Sequence, residues 1–266
     1  MRSNNTALNR MLQSQSHQHQ MAPEYGQQYG QMTAPPQVQP MTLDDVVIRT
    51  AGLLLLTGVA GAVTWVLTPI NPAAAQGLMF VGMFLTLGAI LASWVGSGKF
   101  FANPIVPSLY AAGAGFMLGG ISYVYEFAYS GIVLQAVVAT FGTFFGMALL
   151  FKAKVIRNSP RFTKFMIGAG IGIAGLLLIN MVTSLFGMNL GLFNDGSSQV
   201  TLLQWGIALF FVGWGAFSFI LDFDLVEQSV RYGAPKSQAW VAAFGMVAGL
   251  VFLYLSILRL LSYLRQ

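Results

Sequence analysis

The sequence predicts an all-α membrane protein with a bundle of seven transmembrane helices. The chain of 266 residues is 56% hydrophobic and only 8% charged, whereas about a quarter of the residues in an ordinary soluble domain are charged. Beyond residue 41, the apolar residues gather into seven stretches. Each stretch is close to the roughly 20 residues that a helix needs to cross the hydrocarbon core of a bilayer.

Residues 1–41 precede the first apolar stretch and are rich in Gln, Ser, Asn and Pro. Such a segment cannot bury enough apolar surface to offset its ordering entropy, so we predict a disordered cytoplasmic tail. It contains no apolar core of a secretory signal. Both histidines, His17 and His19, lie in this tail, where solvated histidines are far commoner than metal ligands. The predicted domains are therefore this tail and a membrane domain at 42–266.

The membrane domain begins with a predicted capping box. Thr42 and Asp45 have the spacing that satisfies the first backbone N–H groups of a helix. The seven predicted spans that follow are 47–68, 77–96, 106–125, 131–151, 165–187, 202–223 and 239–263. An odd number of spans leaves the two termini on opposite sides of the membrane.

Lysine and arginine predict the orientation, because cytoplasmic loops are enriched in both. With the N-terminus inside, most basic residues fall on the inner side: Arg2, Arg10, Arg49, Lys99, Lys152, Lys154, Arg157, Arg161, Lys164, Arg231 and Lys236. The outer side then holds Arg265, with Arg259 inside the last span. We predict a protein of the cytoplasmic (plasma) membrane with its N-terminus inside and its C-terminus outside.

Small residues recur in two of the spans, over residues 113–120 and 168–175. Gly168 and Gly172, for example, are four positions apart, a spacing that lets helix backbones approach closely. We predict tight helix packing at both places; hinges of a moving helix are the alternative.

Composition and motifs exclude most classes of function. The chain has no cysteine, so it has neither a disulfide framework nor a thiol nucleophile. It also lacks the HExxH, GxSxG and phosphate-binding glycine motifs, so we expect no enzyme activity and no cofactor. The net charge of +5 is spread between apolar runs rather than gathered in a patch, which argues against nucleic acid as a partner. The predicted partner is the lipid bilayer.

Three carboxylates lie close together at the end of the sixth span, in "FILDFDLVEQS" (219–229): Asp222, Asp224 and Glu227. On a helix, Asp222 and Asp224 project about 200° apart, so one of them should point into the bundle. Acids at a helix C-terminus also oppose the macrodipole. Burial disfavours the charged form of a carboxylate, so the inward one would act as a proton-dependent latch or as a transient ligand for Ca²⁺. Ordinary solvated charge is the alternative.

Other polar residues lie within or beside the spans. Gln135, Asn180 and Gln204 would either line a polar pathway or hydrogen-bond between helices. Glu126 and Arg259 fall near the outer ends of the third and seventh spans and are candidates for a structural ion pair. An interfacial location alone also explains each of these two charges.

Six longer segments allow a comparison with known families: "GGISYVYE", "GIVLQAVVATF", "PRFTKFM", "ILDFDLVE", "GAPKSQAWVAAFG" and "LYLSILRLLSYL". Together they resemble the Bax inhibitor-1 (transmembrane Bax inhibitor motif) family, in particular its bacterial, YccA-like branch, over residues 42–266. The resemblance implies a seven-helix bundle with the seventh helix near the centre and, as in characterised members, a pH-sensitive calcium leak. In those members, an aspartate late in the sixth helix pairs with one in the seventh to hold the pore shut.

Within this resemblance, Phe223 and Asp224 best match the pattern of the sixth-helix aspartate. Asp224 is therefore the predicted gate and transient Ca²⁺ ligand, while Asp222 and Glu227 give the inner mouth a negative potential. The seventh-helix acid has no counterpart, because residues 239–266 hold no Asp or Glu and the expected position falls at Gly249. We predict a single titrating Asp224 with a nearby base as its partner; the candidates are Arg49, Lys99, Arg231 and Lys236.

The missing second acid also favours an alternative function. A non-conducting membrane interaction protein, for example a modulator of a membrane protease or of a stress response, would recruit its partner through the tail at 1–41 and the basic loop at 152–164.

Overall fold

The computed structural model describes residues 39–95, 103–187 and 199–266. Within these ranges the chain forms seven α-helices: α1 Leu43–Ile70, α2 Pro72–Val95, α3 Ile105–Ala128, α4 Ile132–Lys152, α5 Pro160–Leu185, α6 Leu202–Arg231 and α7 Ala239–Leu264. Each is long and apolar enough to cross a membrane. The predicted all-α, seven-helix membrane fold is confirmed. His17, His19, Lys99 and most of the tail lie outside the described residues, so the domain boundary stays a prediction.

Local sequence signals set the helix starts. The hydroxyl oxygen of Thr42 accepts a hydrogen bond from the backbone N–H of Asp45 at 3.2 Å, and the Asp45 carboxylate accepts one from the Thr42 backbone N–H at 3.2 Å. The predicted capping box is therefore confirmed. Ser159 caps α5 with a single bond, its hydroxyl oxygen accepting from the backbone N–H of Phe162, and Pro160 takes the first helical position.

The end of α6 differs from the prediction. The sixth span was expected to end near residue 223, but the helix continues to Arg231 and stops where Gly233 adopts a left-handed φ of 64°. Asp222 and Asp224 therefore lie about two turns before the helix end. The argument that they oppose the macrodipole was wrong, because that effect is confined to the last turn.

Helix α7 lies at the centre of the bundle, the position that the resemblance implied. It packs against α1, α3, α4 and α6, and its buried residues extend from Ala239 to Tyr263. The main core cluster joins Leu253 and Leu258 of α7 to Phe219 of α6. Since lipid tails are as apolar as these side chains, the helices associate through close packing rather than through transfer from water.

Glycines of α3 allow the closest helix contacts. A Cβ placed on Gly113 would lie 2.8 Å from the carbonyl oxygen of Gly82 on α2, and one on Gly119 would overlap the backbone of Gly61 on α1. Only glycine fits such approaches. The predicted tight packing over residues 113–120 is confirmed.

The same prediction is borne out at only one glycine of α5, Gly170, where a Cβ would lie 2.8 Å from the ring of Trp214 on α6. A Cβ at Gly168 or Gly172 would meet nothing within 4 Å. The reason is the position of the helix, since α5 lies at the edge of the bundle and packs mainly on α6. Regular glycine spacing is therefore not enough to bring two helices together.

The substitution Gly119→Ala tests the contact between α1 and α3. The added methyl group would overlap helix backbone, so we expect a loss of about 1–3 kcal/mol in the free energy of unfolding, measured on the purified protein in detergent. Gly142→Ala is the matched control, because a Cβ there meets nothing within 4 Å. Equal unfolding midpoints for the two variants would contradict the close contact.

Candidate functional site

The three clustered acids lie on α6, near the end of the bundle where α6 passes into α7. Asp222, Asp224 and Glu227 fall within six residues of this helix. The helical twist of about 100° per residue aims each carboxylate in a different direction. The structure therefore gives each acid a different environment.

Asp222 faces α7. Its two carboxylate oxygens lie 3.2 Å and 3.6 Å from the points where a Cβ would stand on Gly245 and Gly249. Phe219, almost one turn earlier on α6, is 0% exposed and packs against Gly249 in the same interface. Between residues that the structure describes, no hydrogen bond or ion pair reaches the Asp222 carboxylate. An acid thus lies between two helices, opposite two glycines that leave room for it.

Asp224 turns towards the α4–α5 loop instead. Its Oδ2 accepts hydrogen bonds from Nδ2 of Asn158 and Nε2 of Gln228, each at 2.7 Å. Thr163 of α5 donates to Oδ1 of Asn158 at 2.8 Å. Asp224 therefore belongs to a polar network that ties α6 to the start of α5.

The basic residues expected near Asp224 have other partners. Arg231 pairs with Glu227, Lys236 pairs with Asp45 at 3.1 Å, and Arg49 donates to the backbone carbonyl of Lys236. Lys99 is outside the described residues. Within the described part of the chain, two neutral amides rather than a base hold Asp224.

Glu227 is the most exposed of the three acids. Its Oε1 is 3.1 Å from Nη2 of Arg231, one turn later, and the two side chains are 54% and 69% exposed. Such pairs contribute only about 0.3–0.5 kcal/mol. Glu227 and Asp224 line a polar pocket of about 470 Å³ together with Lys154 and Arg157. Nowhere in the described ranges do three metal-ligating side chains converge, and a transient Ca²⁺ ion at Asp224 stays a prediction.

The residues before α1 bind the connection between α6 and α7, a contact that sequence reasoning missed. The backbone N–H of Met41 donates to the carbonyl of Ala234 at 2.8 Å, and the N–H of Lys236 donates to the carbonyl of Gln39 at 2.9 Å. Met41 is only 2% exposed and packs in a cluster with residues of α6 and α7. An apolar residue directly before a capping box was the one signal available.

The start of α1 strengthens this attachment. The guanidinium of Arg49 lies 5.0 Å above the ring of Trp240 at the beginning of α7, a cation–π contact. Together with the ion pair between Asp45 and Lys236, this cation–π contact fixes the loop that joins α6 and α7.

The predicted polar pathway residues lie at the other end of the helices. Oε1 of Gln135 accepts a hydrogen bond from Nη2 of Arg265 at 3.0 Å. Oε1 of Gln204 accepts one from the Thr201 backbone N–H at 3.0 Å, in the capping box of α6. Asn180 lies in the last two turns of α5. All three stand near helix ends, and their role as a pathway stays a prediction.

Glu126 caps the start of α4. Its two carboxylate oxygens accept hydrogen bonds from the backbone N–H groups of Gly131 at 2.5 Å and Val133 at 3.1 Å. The chain turns between α3 and α4 at Gly131, whose φ of 80° favours glycine. These bonds stabilise the turn, and the ion pair with Arg259 stays a prediction.

Comparison with known proteins identifies the family. A protein-family profile described as Bax inhibitor 1 like matches residues 5–266, which include all seven helices and the acids of α6. Searches of curated proteins and of solved structures found no match. With seven apolar helices that fit a lipid bilayer, the chain belongs to the Bax inhibitor 1-like family of membrane proteins.

Proposed function

We propose that this protein forms a pH-sensitive leak for calcium or a similar cation, with a carboxylate on α6 as its gate. The observation that carries the proposal is the position of Asp222, an acid placed between α6 and the central helix α7. Family membership supports the leak, since the resemblance implied one, although it matched Asp224 rather than Asp222 to the sixth-helix aspartate.

The surroundings of Asp222 suggest how a proton would control the gate. A neutral carboxyl group fits beside the glycine backbone of α7 without a counter-ion. A charged carboxylate in that place requires water or a cation. Deprotonation would therefore favour a state in which α6 and α7 separate and solvent reaches Asp222, whose oxygens then suit a hard cation such as Ca²⁺.

Charged groups on the neighbouring elements bear on this step. The helices packed against α6 carry Asp44, Asp45 and Arg49 on α1, Lys152 on α4, Arg161 and Lys164 on α5, and Arg259 on α7. None of the bonds described above joins one of them to Asp222, so the protonation state of this acid depends mainly on its access to water. The gate would therefore be controlled by one proton on one carboxylate. In the relatives to which the resemblance points, a pair of aspartates holds the pore shut.

The assignment to Asp222 rather than Asp224 follows from their partners. Asp224 is already held by two amides, at the side of α6 that faces the α4–α5 loop. Together with Glu227 it would supply negative potential at the mouth of the leak, which raises the local concentration of cations.

Calcium flux in proteoliposomes tests the gate. We expect wild-type flux to rise with pH, because the charged form of Asp222 favours the separated helices. Asp222→Asn should give low flux with no pH dependence, since the amide imitates the neutral carboxyl group. Asp224→Asn, the matched control two residues away, should retain the pH dependence.

Two results would oppose this account. Equal flux from wild type, both variants and empty vesicles would show that the protein does not conduct calcium. Loss of pH dependence in Asp224→Asn but not in Asp222→Asn would move the gate to Asp224.

We also propose a plasma-membrane location with the N-terminus inside. The basic side chains of the α4–α5 loop and the α6–α7 connection lie at the same end of the bundle as the start of α1, whereas Arg265 lies at the other end beside Ser130. Positive charge concentrates on the cytoplasmic side of membrane proteins.

Cysteine labelling tests the orientation, because the chain has no native cysteine. A membrane-impermeant maleimide added to intact cells should label Ser130→Cys but not Lys154→Cys, and both should react after permeabilisation. Both positions are exposed. The reverse pattern would invert the topology.

Recruitment of a membrane-protein partner is a second candidate function. The observation that favours it is the exposure of the basic side chains in the α4–α5 loop and at the helix ends beside it, namely Lys152, Lys154, Arg157, Arg161 and Lys164. An acidic partner surface would complement them. Affinity purification should then recover a partner that survives Asp224→Asn and is lost when residues 1–41 are deleted. Recovery that is unaffected by the deletion would exclude the tail as the recruiting segment.

A further inference from the structure

A lateral groove of about 480 Å³ opens on the side of the bundle. Helices α1 and α4 form its walls, because each packs on α7 but not extensively on the other, and α3 and α7 form its floor. The walls carry Leu54, Gly58 and Val66 on one side and Val133 and Phe141 on the other. All the lining residues belong to membrane-spanning helices, so whatever fills the groove comes from within the bilayer.

The floor of this groove contains one pair of polar groups. The hydroxyl oxygens of Ser122 on α3 and Tyr254 on α7 are 2.7 Å apart, and the residues are only 6% and 9% exposed. When two hydroxyls bond, one O–H donates to the other oxygen and the second O–H remains available. The other lining hydroxyls, of Thr57 and Thr140, donate to carbonyls one turn earlier in their own helices. Apart from the indole N–H of Trp65, the pair is therefore the donor that faces this largely apolar space.

The pair stands at one mouth of the groove. The ring of Tyr123, next to Ser122, packs on Trp65 with centroids 5.6 Å apart. The hydroxyl pair is therefore level with the Trp65 end of the groove wall on α1. From Trp65 to Leu54 the wall extends about 16 Å along the helix. This is close to the roughly 15 Å that one leaflet contributes to the hydrocarbon core.

These dimensions discriminate between occupants. A helix with a diameter of 10–12 Å fills a volume of about 480 Å³ with roughly 5 Å of its length, less than one turn. An extended hydrocarbon chain is narrow enough to follow the groove, and an ester group at its head supplies a free carbonyl oxygen.

We propose that the groove binds one acyl chain of a bilayer phospholipid, whose ester carbonyl accepts a hydrogen bond from the Ser122–Tyr254 pair. The chain runs along α1 and α4 from this pair towards Leu54, in the leaflet on the side of the α3–α4 turn. Ser122 lies six residues, or about 9 Å, from the end of α3 at Ala128, which sets it nearer to the ester groups of the lipid than to the bilayer centre. The site lies away from Asp222 and does not depend on the proposed leak.

Photo-crosslinking with a phospholipid that carries a diazirine in its acyl chain tests the proposal on the full chain in vesicles. Label should concentrate on the α1 and α4 walls of the groove and fall several-fold in Gly58→Phe, whose side chain fills the space. Gly52→Phe is the matched control, because a Cβ at Gly52 or Gly58 meets nothing within 4 Å and only Gly58 lines the groove. An unchanged unfolding midpoint in Gly58→Phe would show that the fold is intact.

A competition experiment tests the hydrogen bond separately. An ester-linked phospholipid should displace the label about two- to tenfold more effectively than its ether-linked analogue, which lacks the carbonyl, as expected for one hydrogen bond. The double variant Ser122→Ala with Tyr254→Phe should remove this preference without abolishing the labelling, whereas each single variant keeps it because one O–H is still free to donate.

Three results would overturn the proposal. Label spread evenly over the lipid-facing helices and unaffected by Gly58→Phe would show that the groove has no defined occupant. Equal competition by ester and ether lipids would show that the protein does not donate a hydrogen bond to the ester carbonyl. Absence of label from the groove walls, with label on the other lipid-facing helices, would show that lipid does not enter the groove.

Discussion

The packing of α7 at the centre of the bundle constrains the other helices. A helix with neighbours on four sides must present a small or apolar surface to each of them, since lipid provides no hydrophobic force to compensate for a poor fit. Gly245 and Gly249 are positions at which α7 leaves room, and the carboxylate of Asp222 occupies that space. The acid is therefore placed by the shape of the central helix as much as by α6 itself.

Two sites of different chemistry border this central helix. At one end, Asp222 lies against Gly245 and Gly249; towards the other, Tyr254 and Ser122 give the lateral groove its hydroxyl pair. Leu250, which lines the groove, is adjacent in sequence to Gly249 beside Asp222. Both sites therefore border the same helix.

Local signals in the sequence predicted the number of helices, their approximate limits and the capping box of α1, because span length and capping depend on neighbours in the chain. Helical twist also predicted that only one of Asp222 and Asp224 could face inwards. It did not predict which one, because the rotation of α6 about its axis is set by the packing of Phe219. The groove was not predicted, because it depends on where helices distant in sequence meet. The spacing of small residues does not reveal such contacts, as Gly168 of α5 illustrates.

Disulfide formation between α6 and α7 tests the central claim most directly, since the chain has no native cysteine. A disulfide requires Cβ atoms within about 4.5 Å of each other. The double variant Asp222→Cys with Gly245→Cys should rapidly form an intramolecular disulfide on mild oxidation in the membrane. The disulfide is measured as the loss of free thiols in the monomeric protein. Asp224→Cys with Gly245→Cys should not. Cross-linking of the second pair instead of the first would contradict the placement of Asp222 against α7.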